Sequence, residues 1–191
     1  MMPVILPPRL RRSFFFAEQE KSGECGFQPL CGIQNYEGSM PMILHLVALL
    51  VLGLMCGSEL NVALFSHPVL KRQPLETHIL VRSSLAALLG RVMPFWMAGS
   101  TLLNLLLLLP FEHLNESAWR FAAIAFVIQV LAVLFSLVAP VPINRRIAKW
   151  TPKSLPEDWS MQEHRWDVYH FARTCGLVLA FAVLALSHGG R

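Results

Sequence analysis

The sequence predicts an all-α protein, a bundle of four transmembrane helices running up-down-up-down, and three observations predict it. Of its 191 residues, 54% are hydrophobic and only 15% are charged, whereas soluble chains run near half apolar and a quarter charged; the mean hydropathy is +0.50. Four apolar runs each approach the roughly 20 residues that a bilayer-spanning helix needs. Each run ends in residues that stop helices: His67-Pro68, Pro110, Pro140 with Pro142, and Gly189-Gly190. A soluble core made from the same runs would need four helices apolar all round, with little polar surface left to cover them.

The first helix is expected over residues 42–65, because Met40 to Ser58 carries no formal charge and the apolar pattern continues through Glu59 to Phe65. The second is expected over 84–109, carried by the run from Val92 to Phe111 with its leucine block at Leu105 to Leu109. The third is expected over 119–140, within the run from Phe121 to Ile143, and the fourth over 164–188, with His170 and Arg173 near its start. Together they make residues 40–191 a four-helix membrane domain. Residues 1–39 read differently: Pro, Gly and Cys are mixed with a Phe14-Phe15-Phe16 cluster that is too short for the apolar part of a secretory signal. Met40 and Met42 stand just before the first helix, so translation is expected to begin at one of them, with 1–39 a disordered or non-native extension. The intact mass of the native protein tests this.

Composition excludes several function classes. The net charge is only +4 despite a pI near 9.1, and it is spread along a greasy chain, which argues against a nucleic-acid partner. Disorder would require low hydrophobicity and high net charge. Four cysteines are too few for a disulfide framework; Cys25 and Cys31 fit no common zinc spacing, and Cys56 and Cys175 read as packing or lipid-facing residues. There is no Walker loop, dinucleotide fingerprint, HExxH or GxSxG. The Lys and Arg bias gives the orientation. Loop one holds Lys71, Arg72 and Arg82, loop three holds Arg145, Arg146, Lys149, Lys153 and Arg165, and the intervening loop has none. Loops one and three are therefore expected on the cytoplasmic side of a cell inner membrane, although Arg9, Arg11, Arg12 and Lys21 pull the N-terminal tail the same way. Lys71, Arg72, Lys149 and Lys153 are expected to meet anionic lipid headgroups.

Ionisable groups at membrane depth are costly and mark function by default. In the up-down arrangement Glu59, His67, Arg91, Asn144 and the run His164, Trp166, His170, Arg173 converge on one membrane face. Glu163, Trp166, His170 and Arg173 are spaced three, four and three, so they form one helical stripe. Such a stripe can hold an anionic aromatic molecule, with Arg173 pairing the charge, Trp166 stacking and His170 moving a proton. Gln129, Ser136 and Asn104 are expected to hydrogen-bond between helices.

These residues also carry a resemblance. Gly57-Ser58-Glu59-Leu60-Asn61 through His67-Pro68, Gly90-Arg91-Val92-Met93-Pro94-Phe95-Trp96-Met97, Pro142-Ile143-Asn144-Arg145-Arg146-Ile147, Glu157-Asp158-Trp159, Arg165-Trp166-Asp167 and His170-Phe171-Ala172-Arg173 resemble the DUF1772 family of small four-helix membrane proteins. The match spans roughly residues 42–188. That family includes the fungal anthrone oxygenases, which convert an anthrone to an anthraquinone with molecular oxygen and without a bound cofactor. The resemblance implies a membrane enzyme acting on a small apolar aromatic molecule. It places His170, Glu59 and Arg173 in catalytic roles and Asn144, Trp166, Arg91 and His67 around the substrate. The expected chemistry gives His170 the base role, oriented by Glu59, gives the oxyanion to Arg91 or Arg173, a hydrogen bond to Asn144 and an aromatic wall to Trp166. No metal site is expected. Two other classes remain open: a non-enzymatic membrane subunit or scaffold, and a metal- or haem-binding protein using His67 and His170. The sequence does not fix the oligomeric state.

Overall fold

A computed structural model describes residues 39–109 and 116–187. The expectations for residues 1–38, including Cys25 and Cys31, lie outside the described residues, as do the helix stops expected at Pro110 and Gly189-Gly190. Every regular element described is helical: α1 (Ser39–Asn61), a π-helical turn (Val62–Ser66), α2 (His67–Leu70), α3 (Leu75–Leu107), α4 (Glu116–Val138), α5 (Pro140–Ile147) and α6 (Trp159–Leu186). Four rods are long and apolar enough to cross a membrane, Met42–Leu70, Leu75–Leu107, Glu116–Val138 and Trp159–Leu186, so the chain is a multi-pass integral membrane protein.

The rods pack in a ring in chain order, each against the one before and the one after, with α6 closing on α1; α4 with α6 is the most extensive pair, and α3 reaches α6 across the ring only through long side chains such as His78 and Arg82. Small residues allow the close approach. The buried side of α4 reads Ala118, Ala122, Ala125, Gln129, Ala132, Ser136, a stripe of the small and polar kind that brings helices together in lipid. Leu52, Met55, Met97, Leu177 and Leu184 fill the middle of the bundle against it. The outside carries the large apolar side chains, with Leu54, Phe95 and Val138 strongly exposed, the inverse of a soluble surface. Of the three polar residues expected between helices, Gln129 accepts from Ser100 Oγ at 3.2 Å, and Ser136 Oγ stands both 2.6 Å from the Ala132 carbonyl of its own helix and 4.0 Å from Met97 Sδ on α3. Asn104 is fully buried and its amide has no partner among the described residues.

Helix ends depart from the expected ones for identifiable reasons. The first rod does not stop at His67-Pro68 but runs on to Leu70. Proline has no N–H and its ring crowds the carbonyl four residues back; the π turn immediately before it loosens the ladder there, and Pro68 then sits at the start of α2. The second rod starts at Leu75, nine residues before the expected 84, because His78 and Arg82 find a buried carboxylate partner and so belong to the helix. The third rod breaks at Ala139 and restarts as α5, with Pro140 in its first turn. The fourth begins at Trp159 rather than 164.

Candidate functional site

Among the described residues the buried acidic and basic side chains, Glu59, Arg82, Glu163 and Arg173, lie at the end of the bundle where loops one and three emerge. Three carboxylates there are each matched with one cation and one imidazole. Glu59 pairs with Arg173 and His170, Glu163 with Arg82 and His78, and Asp167 with Lys71 and His67. Pairing of this kind is what makes charge tolerable at this depth.

The innermost set is the most enclosed. Glu59 stands one turn before the π segment, about 16 Å along the helix axis from Leu70 at 1.5 Å per residue, and is 1% exposed. Arg173 Nη2 donates to Glu59 Oε2 at 2.5 Å and to His170 Nδ1 at 3.1 Å. His170 Nε2 lies 3.2 Å from the main-chain carbonyl of Glu59. A carbonyl only accepts, so Nε2 carries the hydrogen and Nδ1 presents its lone pair to Arg173. Two polar atoms of the set are left over: Glu59 Oε1 and Arg173 Nε are buried without a partner among the described residues. Thr174 Oγ1 donates to the His170 carbonyl at 2.8 Å and ties that turn of α6.

Trp166 lies flat on the His170 ring, centroids 4.5 Å apart and planes 12° from parallel. Arg82 also lies over the Trp166 ring, with its guanidinium carbon 4.3 Å from the ring centroid. Arg82 in turn pairs with Glu163 at 3.4 Å, and Glu163 accepts from His78 Nε2 at 2.7 Å. The stripe Glu163, Trp166, His170, Arg173 is thus buried along its whole length.

Beside Glu59, His170 and Arg173 lies a cavity of about 270 Å³. Its other walls are apolar or weakly polar, including Val62, Leu89, Met93, Met97, Val133 and Trp166, with Asn144 and Arg145 contributed by α5. Gly90, Pro94 and Ala98 on α3 and Leu137 on α4 line it while being exposed themselves, so the cavity reaches the lipid-facing surface between those helices. Pro94 has no N–H to give the Gly90 carbonyl, which opens the α3 ladder at this wall. Asn144 Nδ2 donates to the Ala86 carbonyl at 2.9 Å. A Cβ on Gly90 would stand 3.0 Å from that same nitrogen. Gly90→Ala is therefore expected to push the Asn144 amide from Ala86 and to cost about 1 kcal/mol of stability, in the range of overpacking; thermal unfolding in detergent reads it, and an unchanged midpoint would contradict the contact.

Of the residues singled out by sequence, the structure brings Glu59, His170, Arg173, Trp166 and Asn144 together on this cavity. His67 stands behind it, its ring 4.8 Å from Trp166 and 6.3 Å from His170, and borders a different hollow. Arg91 is not brought to the site: it is exposed and is not on the cavity wall. Its neighbour Gly90 holds the inward position, and one residue is about 100° round the helix. Arg145, counted in the sequence only among the loop-three charges, also reaches the cavity. Sequence reasoning also missed Arg82, His78 and Asp167 as members of the cluster. The four-residue spacing His78, Arg82, Ala86, continued at Gly90, was the available signal. Among the described residues no three His, Cys, Asp or Glu side chains are grouped as a metal-ligand set.

A family model described as anthrone oxygenase matches residues 82–183. That stretch covers α3 from Arg82, all of α4 and α5, and α6 almost to its end, and so takes in Asn144, Trp166, His170 and Arg173 but not Glu59 or His67. No match was found among curated proteins, and none among solved structures. With more than half of its length matched by that model, and with the four apolar rods in place, the chain belongs to the anthrone oxygenase family.

Proposed function

We propose that this protein oxidises a small apolar aromatic substrate of the anthrone type with molecular oxygen, in the cavity beside Glu59. The observation that carries the reading is a largely apolar cavity reaching the lipid surface, whose wall includes one carboxylate and one guanidinium that each keep an unpartnered atom. About 270 Å³ lies just under the usual range for ligand pockets, ~300–1,000 Å³, and suits a compact ring system better than a lipid.

The chemistry needs little. An anthrone has an acidic methylene, and removing one proton gives a delocalised anion that reacts with oxygen directly. One anthrone and one O₂ give one anthraquinone and one water. We assign the base role to Glu59 rather than to His170, because both ring nitrogens of His170 are engaged within the protein whereas Glu59 Oε1 has no partner. Arg173 Nε donates to the oxyanion that forms. His170 fixes Glu59 and Arg173 relative to each other, Trp166 forms an aromatic wall, and Asn144 and Arg145 meet the outer part of the substrate. Oxygen adds at the deprotonated carbon, and Glu59 returns its proton to the distal oxygen. Glu59 then takes the remaining C–H proton as the O–O bond breaks; the carbonyl forms and the hydroxide that leaves takes that proton to become water. No metal or other cofactor is required by this sequence. We place loops one and three on the cytoplasmic side of a cell inner membrane, where the exposed Lys71, Arg72, Lys149 and Lys153 meet anionic headgroups.

The test is oxygen uptake by the detergent-purified protein given a simple anthrone. Uptake well above the spontaneous rate is expected, falling by about 10²–10⁴ in Glu59→Gln, the usual span for a lost general base. In His170→Gln the fall is expected to be smaller, since His170 positions the base. Wild-type uptake no faster than the spontaneous rate, in a protein with an unchanged melting temperature, would favour a non-enzymatic membrane subunit.

A further inference from the structure

His170 stands between two cavities. The apolar one lies on one side; on the other is a hollow of about 570 Å³ bordered by His67, Lys71, His164 and Asp167 against Pro68 and Phe171. Among the described residues, His170 is the one side chain that borders both. The polar wall of the second hollow is a connected chain. Lys71, 42% exposed on its side chain, donates to Asp167 Oδ2. Asp167 Oδ1 accepts from His67 Nδ1 at 2.8 Å, which leaves the lone pair of His67 on Nε2. That nitrogen is buried and has no partner among the described residues. An imidazole oriented by a carboxylate, with its other nitrogen unoccupied, is built to accept a proton. The 6.3 Å between the His67 and His170 ring centroids is a gap that one water can close, and the hollow has room for several.

We propose that His67, Asp167 and Lys71 form a proton port that joins the buried Glu59 to the aqueous face of the bundle. The inference rests on the reading of Glu59 as base. A proton taken by Glu59 passes to His170 Nδ1, 3.1 Å from Glu59 Oε2, as Arg173 Nη2 gives up its hydrogen bond to that nitrogen, while the Nε2 hydrogen of His170 leaves the Glu59 carbonyl for water in the second hollow. That water passes a proton to His67 Nε2, and His67 yields its Nδ1 hydrogen to Asp167, which Lys71 holds at the exposed edge. In each transfer one N–H or O–H bond forms as another breaks, and no electron moves. The port gives Glu59 a way to return to its carboxylate form when the abstracted proton is not spent on oxygen.

Withholding oxygen isolates this step. In deuterated buffer under anaerobic conditions, purified wild-type protein should speed exchange of deuterium into the anthrone methylene, measured by mass spectrometry above the spontaneous rate. Asp167→Asn keeps an acceptor for His67 but cannot take the proton. It should retain oxygen uptake within about twofold in air and lose at least tenfold in anaerobic exchange, because the proton returns to the carbon it left. Asp167→Glu should restore exchange. Exchange in Asp167→Asn as fast as in wild type would overturn the port, and so would a parallel loss of uptake and exchange, which would make Asp167 a support of the site as a whole. A wild-type protein that takes up oxygen without catalysing exchange would overturn the port and leave the oxygenase reading standing. One that does neither would overturn the oxygenase reading, and the port with it.

Discussion

Glu59→Gln and Arg173→Met are each expected to destabilise the bundle by about 3–5 kcal/mol, and the double variant is expected to regain most of that stability while remaining inactive. The reason is the depth of the pair. Glu59 and Arg173 are 1% and 8% exposed, and they meet at 2.5 Å. Removing one partner of a buried pair strands the other charge, whereas replacing both with uncharged groups of similar size is close to neutral. The stability readout is thermal unfolding in detergent, and the activity readout is oxygen uptake. A merely structural pair predicts that function returns with stability in the double variant. A catalytic pair predicts that stability alone returns, because neither the base nor the oxyanion donor is restored. Single variants as stable as wild type would contradict the burial argument itself.

The second large effect is expected at Arg82. It is 1% exposed, pairs with Glu163 and lies over Trp166, so one side chain both neutralises a buried carboxylate and backs the aromatic wall. Arg82→Met leaves Glu163 with His78 as its remaining polar partner and should cost about 3–5 kcal/mol, by the same reasoning as for the inner pair. Arg82→Lys keeps the charge but loses the flat stacking surface and the fork. It should recover part of the stability and leave a deficit of about 0.5–2 kcal/mol, the worth of a desolvated cation over an aromatic ring. Oxygen uptake should follow the order wild type, Lys, Met, since Trp166 is the plate on which His170 rests. Equal stability of Arg82→Met and wild type would show that Glu163 does not need this partner.

How much of this was legible in the sequence follows from which physical signals a chain can carry. The four spans were legible because roughly 20 apolar residues in a row have few other uses. The α6 stripe was legible because spacing of three and four places residues on one helical side whatever surrounds it. Glu59 was legible because a lone carboxylate in an apolar run is costly without a partner. The start of α3 was not. Hydropathy reads His78 and Arg82 as loop residues, and only the tertiary pairing with Glu163 makes them helical and buried. Arg91 illustrates the opposite failure: depth and the resemblance marked it, but depth does not fix azimuth, and Gly90 takes the place on the cavity wall. The proline pair at Pro140 and Pro142 signalled a helix end correctly, yet gave no hint that the chain restarts as α5 and carries Asn144 and Arg145 to the cavity. The π turn at Val62–Ser66 has no sequence signal beyond the proline that follows it.

The central claim, that the Glu59 cavity inserts oxygen into an anthrone-type carbon, is tested most directly by ¹⁸O₂. Purified protein is given a simple anthrone under ¹⁸O₂ gas in ordinary water, and oxygen consumed, quinone formed, hydrogen peroxide released and label in the quinone are measured together, with Glu59→Gln as the control. The account predicts one oxygen molecule consumed per quinone, one labelled atom in the newly formed carbonyl, no accumulating peroxide, and loss of the reaction in the variant. Quinone whose new oxygen comes from water, with peroxide released in equal amount, or the same labelled product at the same rate from Glu59→Gln, would contradict it.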